Sequence, residues 1–366
     1  MNRRVPRKQK RRGPRAGGAT LRTLGEFGLL KRLRAKSPPL PPEVLAGMGD
    51  DAAILQPSPG LALVATVDVL VEGKDFRWHW CPPEAVGQKG ITVSLSDIGA
   101  MGAIPKYALV ALGLSSGTPL ARVEGLYRGI WRAAAAAGVA VVGGDLSEAP
   151  RLILGVTVIG EGPADRLVRR SGSTIGETIW VTGPLGRAAA GLKALQAGYR
   201  LGRRGVTRER GSSIPPQMQK ALRATIQAQL YPMARYREGR LLAGAGLATA
   251  MIDLSDGLAS DLTRLAEESR VGVRIFADRI PVDAPTGQVA ELLGLDALKL
   301  AIGGGEDFEL LFTSGAPPRA VEETLVHQGF ARPVPIGEVL RADAGVFLVG
   351  PRGKRTPLTG GFEHFR

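Results

Sequence analysis

The sequence predicts an α/β (α+β) protein of two domains, and three observations carry that prediction. Apolar segments of strand length alternate with longer segments of helical periodicity; 44% of the 366 residues are hydrophobic, enough for sizeable cores; and a Gly- and Arg-rich stretch at 160–176 splits the pattern in two. A helix is predicted over 24–34, where Leu24, Phe27, Leu30 and Leu33 recur at helical spacing, and the prolines of 38–42 end it. Strands follow at 52–55 and 61–71, a helix at 84–102, a strand at 107–114, a helix at 120–138, and strands at 139–142 and 152–159. The second half continues the alternation with strand 178–182, helix 185–196, a polar basic insertion, strand 249–252, helix 258–269 and strand 273–276. Strand 308–312, helix 319–328 and strands 334–339 and 345–349 complete it. The domain limits implied are a basic disordered arm at 1–23, a first domain at 24–162, and a second at 163–366 carrying the insertion 198–240.

The formal net charge of +14 suggests nucleic acid or an acidic surface, until its location is examined. Residues 1–22 hold nine Lys or Arg and no acid, and residues 197–240 hold ten against two, which leaves the rest of the chain at −3. The basic character belongs to appendages, so nucleic-acid binding is not expected. No apolar run approaches the ~20 residues needed to cross a bilayer. A single cysteine, Cys81, allows no internal disulfide and fits a reducing compartment, and with no secretory apolar core at the N-terminus the cytoplasm is expected.

The chemistry-bearing feature is the placement of acids beside glycines and at strand ends. Asp50 and Asp51 follow Gly47-Met48-Gly49; Asp68 interrupts an apolar strand; Asp97 lies in a largely apolar helix; Asp145 ends Val141-Val142-Gly143-Gly144; Asp253 and Asp256 follow Ala250-Met251-Ile252; Glu306 and Asp307 follow three glycines. Burying so many carboxylates without cations is costly. Oxygen donors without Cys or His select hard cations, above all Mg²⁺, which commonly serves to hold phosphates. No P-loop, protein-kinase signature or serine–histidine nucleophile motif is present.

The runs GEFGLL (25–30), GMGDDAAIL (47–55), VDVLVEGKDF (67–76), LSDIGAMGA (95–103), VVGGD (141–145), RRSGSTIGE (169–177), IDLSDGLASDL (252–262), GGGEDFELLFT (303–313) and GFEHF (361–365) resemble the thiamine-monophosphate kinase family in order and spacing. That resemblance implies an architecture like aminoimidazole ribonucleotide synthetase, a homodimer built through the N-terminal sheets, and ATP in the cleft. It implies Mg²⁺ ligands at Asp51, Thr66, Asp68, Asp97, Asp145 and Asp253, a further metal-binding acid at Asp256, and catalytic roles for Asp68, Asp145 and Asp256. ATP contacts fall on Tyr127, Gly144, Asp145, Arg170 and Ser255, and positions near the thiamine moiety on Glu306 and Phe362. From the residues alone, Tyr127 reads as a core-facing helical position and Arg170 as a solvated loop charge.

The chain also departs from the family pattern. Val67 replaces a Thr, so a metal contact there is left to its backbone carbonyl. Asp75 replaces a His beside the substrate, where it either faces the cationic thiazolium ring or lies out of contact. The reaction implied is direct in-line transfer of the ATP γ-phosphoryl to thiamine monophosphate, with several Mg²⁺ ions offsetting repulsion between two polyanions. Residues 198–236 are expected either to close over the polyphosphates or to be a solvated insertion. The alternatives are another ATP-dependent enzyme of the same superfamily, or a basic RNA-binding protein.

Overall fold

The computed structural model describes residues 21–47, 53–209 and 214–361. Helix α1 (Leu21–Lys36), broken at Gly25, leads into the short antiparallel pair β1 (Val44–Ala46) and β2 (Ile54–Leu55). Then come β3 (Ala62–Val71), α2 (Pro83–Ala100), β4 (Ile104–Leu114), α3 (Leu120–Ala137), β5 (Ala140–Glu148) and β6 (Ile153–Gly162). These strands form a sheet in the order β3-β6-β4-β5, with only the β4–β5 pair parallel.

The two faces of this sheet differ. On β3, Val64, Thr66, Asp68 and Leu70 turn inward, toward α2, while Leu63, Val67 and Val69 are exposed at 57%, 62% and 53%. Ile153 of β6 extends the exposed apolar surface. Helix α2 begins with Pro83 in its first turn, where a missing N–H costs nothing, and it is buried over most of its length. A helix buried on most sides belongs inside a structure, and α2 packs against α3, the sheet and the second half of the chain.

The second half contains β7 (Thr178–Val181), α4 (Arg187–Gln196), the hairpin β8 (Tyr199–Gly202) and β9 (Gly205–Arg208), α5 (Pro216–Leu230), α6 (Tyr236–Gly244), β10 (Ala250–Asp253), α7 (Leu258–Ser269), β11 (Gly272–Phe276), α8 (Ala284–Leu292), α9 (Ala297–Gly303), β12 (Leu310–Ser314), α10 (Pro318–His327), β13 (Val334–Leu340), β14 (Val346–Val349) and β15 (Arg355–Pro357). Seven strands make a largely antiparallel sheet in the order β10-β12-β7-β13-β11-β14-β15, in which only β11 and β14 are parallel. Trp180 and Phe312 stack at its centre with ring centroids 6.3 Å apart. The halves meet closely where α2 crosses α6: a Cβ on Gly239 would lie 2.0 Å from the Gly99 carbonyl, so any larger residue would force the helices apart.

The structure corrects the expectation that 198–236 is a solvated insertion. Its polar composition hides an amphipathic helix, because Ala221, Leu222, Ile226 and Leu230 of α5 are buried against α4 and α8. The far end is anchored as well, since Arg235 donates to both carboxylate oxygens of Glu309 at 2.6 and 2.8 Å. Helices α8 and α9 were not anticipated; each begins at an Asp, Asp283 and Asp296, that caps its first turn. The predicted arm at 1–23 lies outside the described residues up to residue 20.

Candidate active site

Strand alternation sets the first part of the site. Thr66 and Asp68 lie on the inward side of β3, and α2 presents Asp97 and Ser94 to them. The Thr66 hydroxyl donates to Asp97 Oδ2. The Ser94 hydroxyl lies 2.9 Å from both Asp68 Oδ2 and the Val156 carbonyl. Val67, between the two ligand-type side chains, points its isopropyl group to the opposite, exposed face.

The second part comes from β10, whose last residue, Asp253, is 3% exposed. Burial pushes its carboxyl well above the usual range, the charges of Asp97, Asp261 and Asp68 push it further, and the neighbouring Ser96 hydroxyl opposes them. Asp68 is raised to about 6 by burial and then by Asp97, against the Ser94 hydrogen bond. Asp97 is raised by burial, while the Thr66 hydroxyl and the Arg170 charge draw it down. Acids from both halves thus share one electrostatic field, and Arg170, an exposed side chain, acts on it. Such a group favours a bound cation, which would displace protons from the carboxyls.

Several expected residues are placed otherwise. Asp145 sits on β5 in register with the exposed Ala111, is itself exposed, accepts from Ser147 Oγ at 3.1 Å, and is not among the charges acting on the other three acids. Asp256 forms an ion pair with Arg264 instead of joining the cluster. Its neighbour Asp261, which the sequence did not single out, accepts the backbone N–H groups of Asp256 and Gly257 at 3.0 and 3.1 Å, and burial raises it to about 7. Among the described residues, no three acidic, His or Cys side chains stand close enough together to hold one metal ion. Asp51 and Phe362 lie outside the described residues.

Tyr127 is a core residue, as its helical spacing implies: it is 6% exposed, its ring centroid lies 5.4 Å from that of Trp131, and burial pushes its hydroxyl up to about 12. Asp75 accepts the Val71 backbone N–H at 2.7 Å, so its carboxylate closes a local turn after β3. Gly144 is required by close approach, because a Cβ there would lie 1.9 Å from the Val110 carbonyl.

The glycine-rich run before β12 is zipped to the loop after β10. Glu306 N donates to the Ser255 carbonyl at 2.8 Å and Phe308 N to the Leu254 carbonyl at 2.9 Å. Glu306 and Phe308 adopt φ values of 70° and 50°, uncommon for side-chain-bearing residues and typical of functional loops. Asp307, raised to about 7 by burial, accepts the N–H groups of Gly186 and Ala188 at 2.6 and 3.0 Å and so caps α4. Glu306 meets Lys89 of α2 and Gln229 of α5, neither of which carries a signal in the sequence.

Two family descriptions match this architecture: the AIR synthase related protein N-terminal domain over residues 49–161 and its C-terminal domain over 174–349. The fold and these two matches therefore define a protein of the AIR synthase related class. Within it, the chain is 35% identical over 329 residues to the thiamine-monophosphate kinase of Mycobacterium tuberculosis, covering 89% of this chain and 92% of that one. The crystal structure of thiamine-monophosphate kinase from Stenotrophomonas maltophilia K279a superimposes with a TM-score of 0.75 at 32% identity, covering 91% of this chain and 98% of that one. The AaThiL structure complexed with AMPPCP and TMP gives 0.71 at 32% identity, covering 95% and 99%. The chain belongs to the thiamine-monophosphate kinase family.

Proposed function

We propose that this protein transfers the γ-phosphoryl group of ATP to the phosphate of thiamine monophosphate, giving thiamine diphosphate and ADP. The observation that carries this reading is 35% identity across nearly the whole length of a thiamine-monophosphate kinase. The related AaThiL structure, which binds AMPPCP and TMP together, supports the same pair of substrates.

The donor set fits Mg²⁺: hard carboxylate oxygens, buried and mutually repelling, contributed by both halves of the chain. Asp68, Asp97 and Asp253 do not stand close enough to share one ion and would hold several ions between them, with Thr66, the Val67 carbonyl, Asp51 and Asp145 as further oxygen donors and Asp256 as one that must first leave Arg264. When bound, Mg²⁺ supplies neutralisation of the charge on the two phosphate-bearing reactants. Ser94 and Thr66 orient the carboxylates through their hydroxyls. Arg170, exposed and acting on the charge of Asp97, would attract polyphosphate, and Ser255 and Gly144 would line the ATP side in this reading. The acceptor phosphate is already ionised at neutral pH, so no protein base is required.

We assign the domains as 24–162 and 163–366 and the exposed face bearing Leu63, Val67 and Val69 as the surface joining two copies in a homodimer; it is a contiguous apolar surface of the kind that marks association sites. Among the described residues no helix is long and apolar enough to cross a membrane, and the buried Cys81 accords with a cytoplasmic setting. A coupled assay of ADP release tests the activity: release should require both Mg²⁺ and thiamine monophosphate, and release independent of thiamine monophosphate would count against it.

A further inference from the structure

Glu306 is gripped from two helices, α2 of the first half of the chain and α5 of the second. Its Oε1 lies 2.5 Å from Lys89 Nζ of α2, and its Oε2 accepts from Gln229 Nε2 of α5. Lys89 and Gln229 are 4% and 5% exposed, whereas the Glu306 side chain is 28% exposed. The carboxylate is therefore the open face of an otherwise buried arrangement. Its backbone is held in the left-handed region by the hydrogen bond from Glu306 N to the Ser255 carbonyl. The remaining oxygen of Gln229, Oε1, is buried and finds no hydrogen-bond partner among the described residues. A buried amide accepts that cost where its other end is needed.

Two buried donors spent on one carboxylate fix its direction more than they add stability, since a buried ion pair gains little over an apolar replacement. Resting on the kinase reading, we infer that Lys89 and Gln229 are positioning residues that hold the Glu306 carboxylate toward the cationic thiamine moiety, so that Lys89 sets the affinity for the acceptor. Lys89 belongs to the N-terminal sheet's principal helix and Glu306 to the loop before β12, so the clamp also joins the two halves at the point where the acceptor binds. Removing the lysine leaves a carboxylate on a strained backbone with one oxygen free to swing into solvent.

The test compares Lys89→Met, Gln229→Leu, Glu306→Gln and the double variant Lys89→Met/Glu306→Gln in the full chain. Lys89→Met should raise KM for thiamine monophosphate about tenfold or more, because the carboxylate loses its direction, and leave KM for ATP within about twofold. Gln229→Leu should raise the same KM by about threefold, as for one hydrogen bond. The double variant should be no worse than Glu306→Gln alone. Effects that multiply, or a KM that falls because Lys89 merely cancels the Glu306 charge, would overturn the inference. Melting temperatures of the same four proteins give a readout independent of turnover: the losses from Lys89→Met and Glu306→Gln should not add, and strict additivity would refute the clamp. Wild-type turnover is the separate control, whose failure would fall on the kinase reading alone.

Discussion

Replacing Asp68 by Asn tests the electrostatics of the cleft while keeping an acceptor for Ser94. Burial and the Asp97 charge raise this carboxyl from 3.8 to about 6. A rise of roughly two units corresponds to about 3 kcal/mol, an upper limit, at about 1.4 kcal/mol per unit. Because the folded-state value lies above the unfolded one, the folded protein binds the extra proton between them. The associated stability is fully present below pH 4 and is lost as pH rises through about 6. In metal-free buffer at pH 8, Asp68→Asn should therefore melt higher than wild type, and the gain should vanish near pH 4. For an unfolding entropy of about 0.8 kcal/mol/K in a chain of this length, the gain reaches at most about 4 °C. Mg²⁺ should then raise the melting temperature of wild type more than that of the variant. Scanning calorimetry in EDTA and in Mg²⁺ across this pH range reads both effects. A variant that melts no higher at pH 8, or whose gain is the same at pH 4, would refute the reasoning.

Asp97→Asn and Asp253→Asn should each lower kcat about a hundredfold or more in steady-state assays, the scale of losing an electrostatic contact to the developing charge. Gly144→Ala places a methyl 1.9 Å from the Val110 carbonyl and should destabilise the N-terminal sheet by about 3 kcal/mol, the range of overpacked sites, as read by chemical denaturation. Val67→Lys puts a charge on the exposed apolar face and should shift the protein from dimer to monomer in light scattering, with little change in the melting of the monomer.

Much of the fold was legible because its signals are local. The alternation on β3, the face of α3 from Val123 to Ala134 and the Pro83 start of α2 each follow from neighbours in sequence. Helix α5 was hidden because the charges of its surroundings outweighed a sound pattern: Ala221, Leu222, Ile226 and Leu230 keep helical spacing within a basic, polar stretch. The acids Asp68, Asp97 and Asp253 stood out because carboxylates within apolar runs demand compensation. Partners distant in sequence did not stand out. Nothing near Lys89 announces that it meets Glu306, 217 positions on, and nothing near Arg264 of α7 announces that it takes up Asp256, just before that helix. Asp75 and Asp307 resemble site acids in sequence, yet each satisfies backbone N–H groups.

The most direct measurement is ³¹P NMR of the purified protein incubated with ATP, Mg²⁺ and thiamine monophosphate. Thiamine diphosphate and ADP should appear in equal amounts, with loss of the thiamine monophosphate resonance, and both should form about a hundredfold more slowly or slower still with Asp253→Asn. Consumption of ATP to ADP and inorganic phosphate with thiamine monophosphate left intact would contradict the assignment.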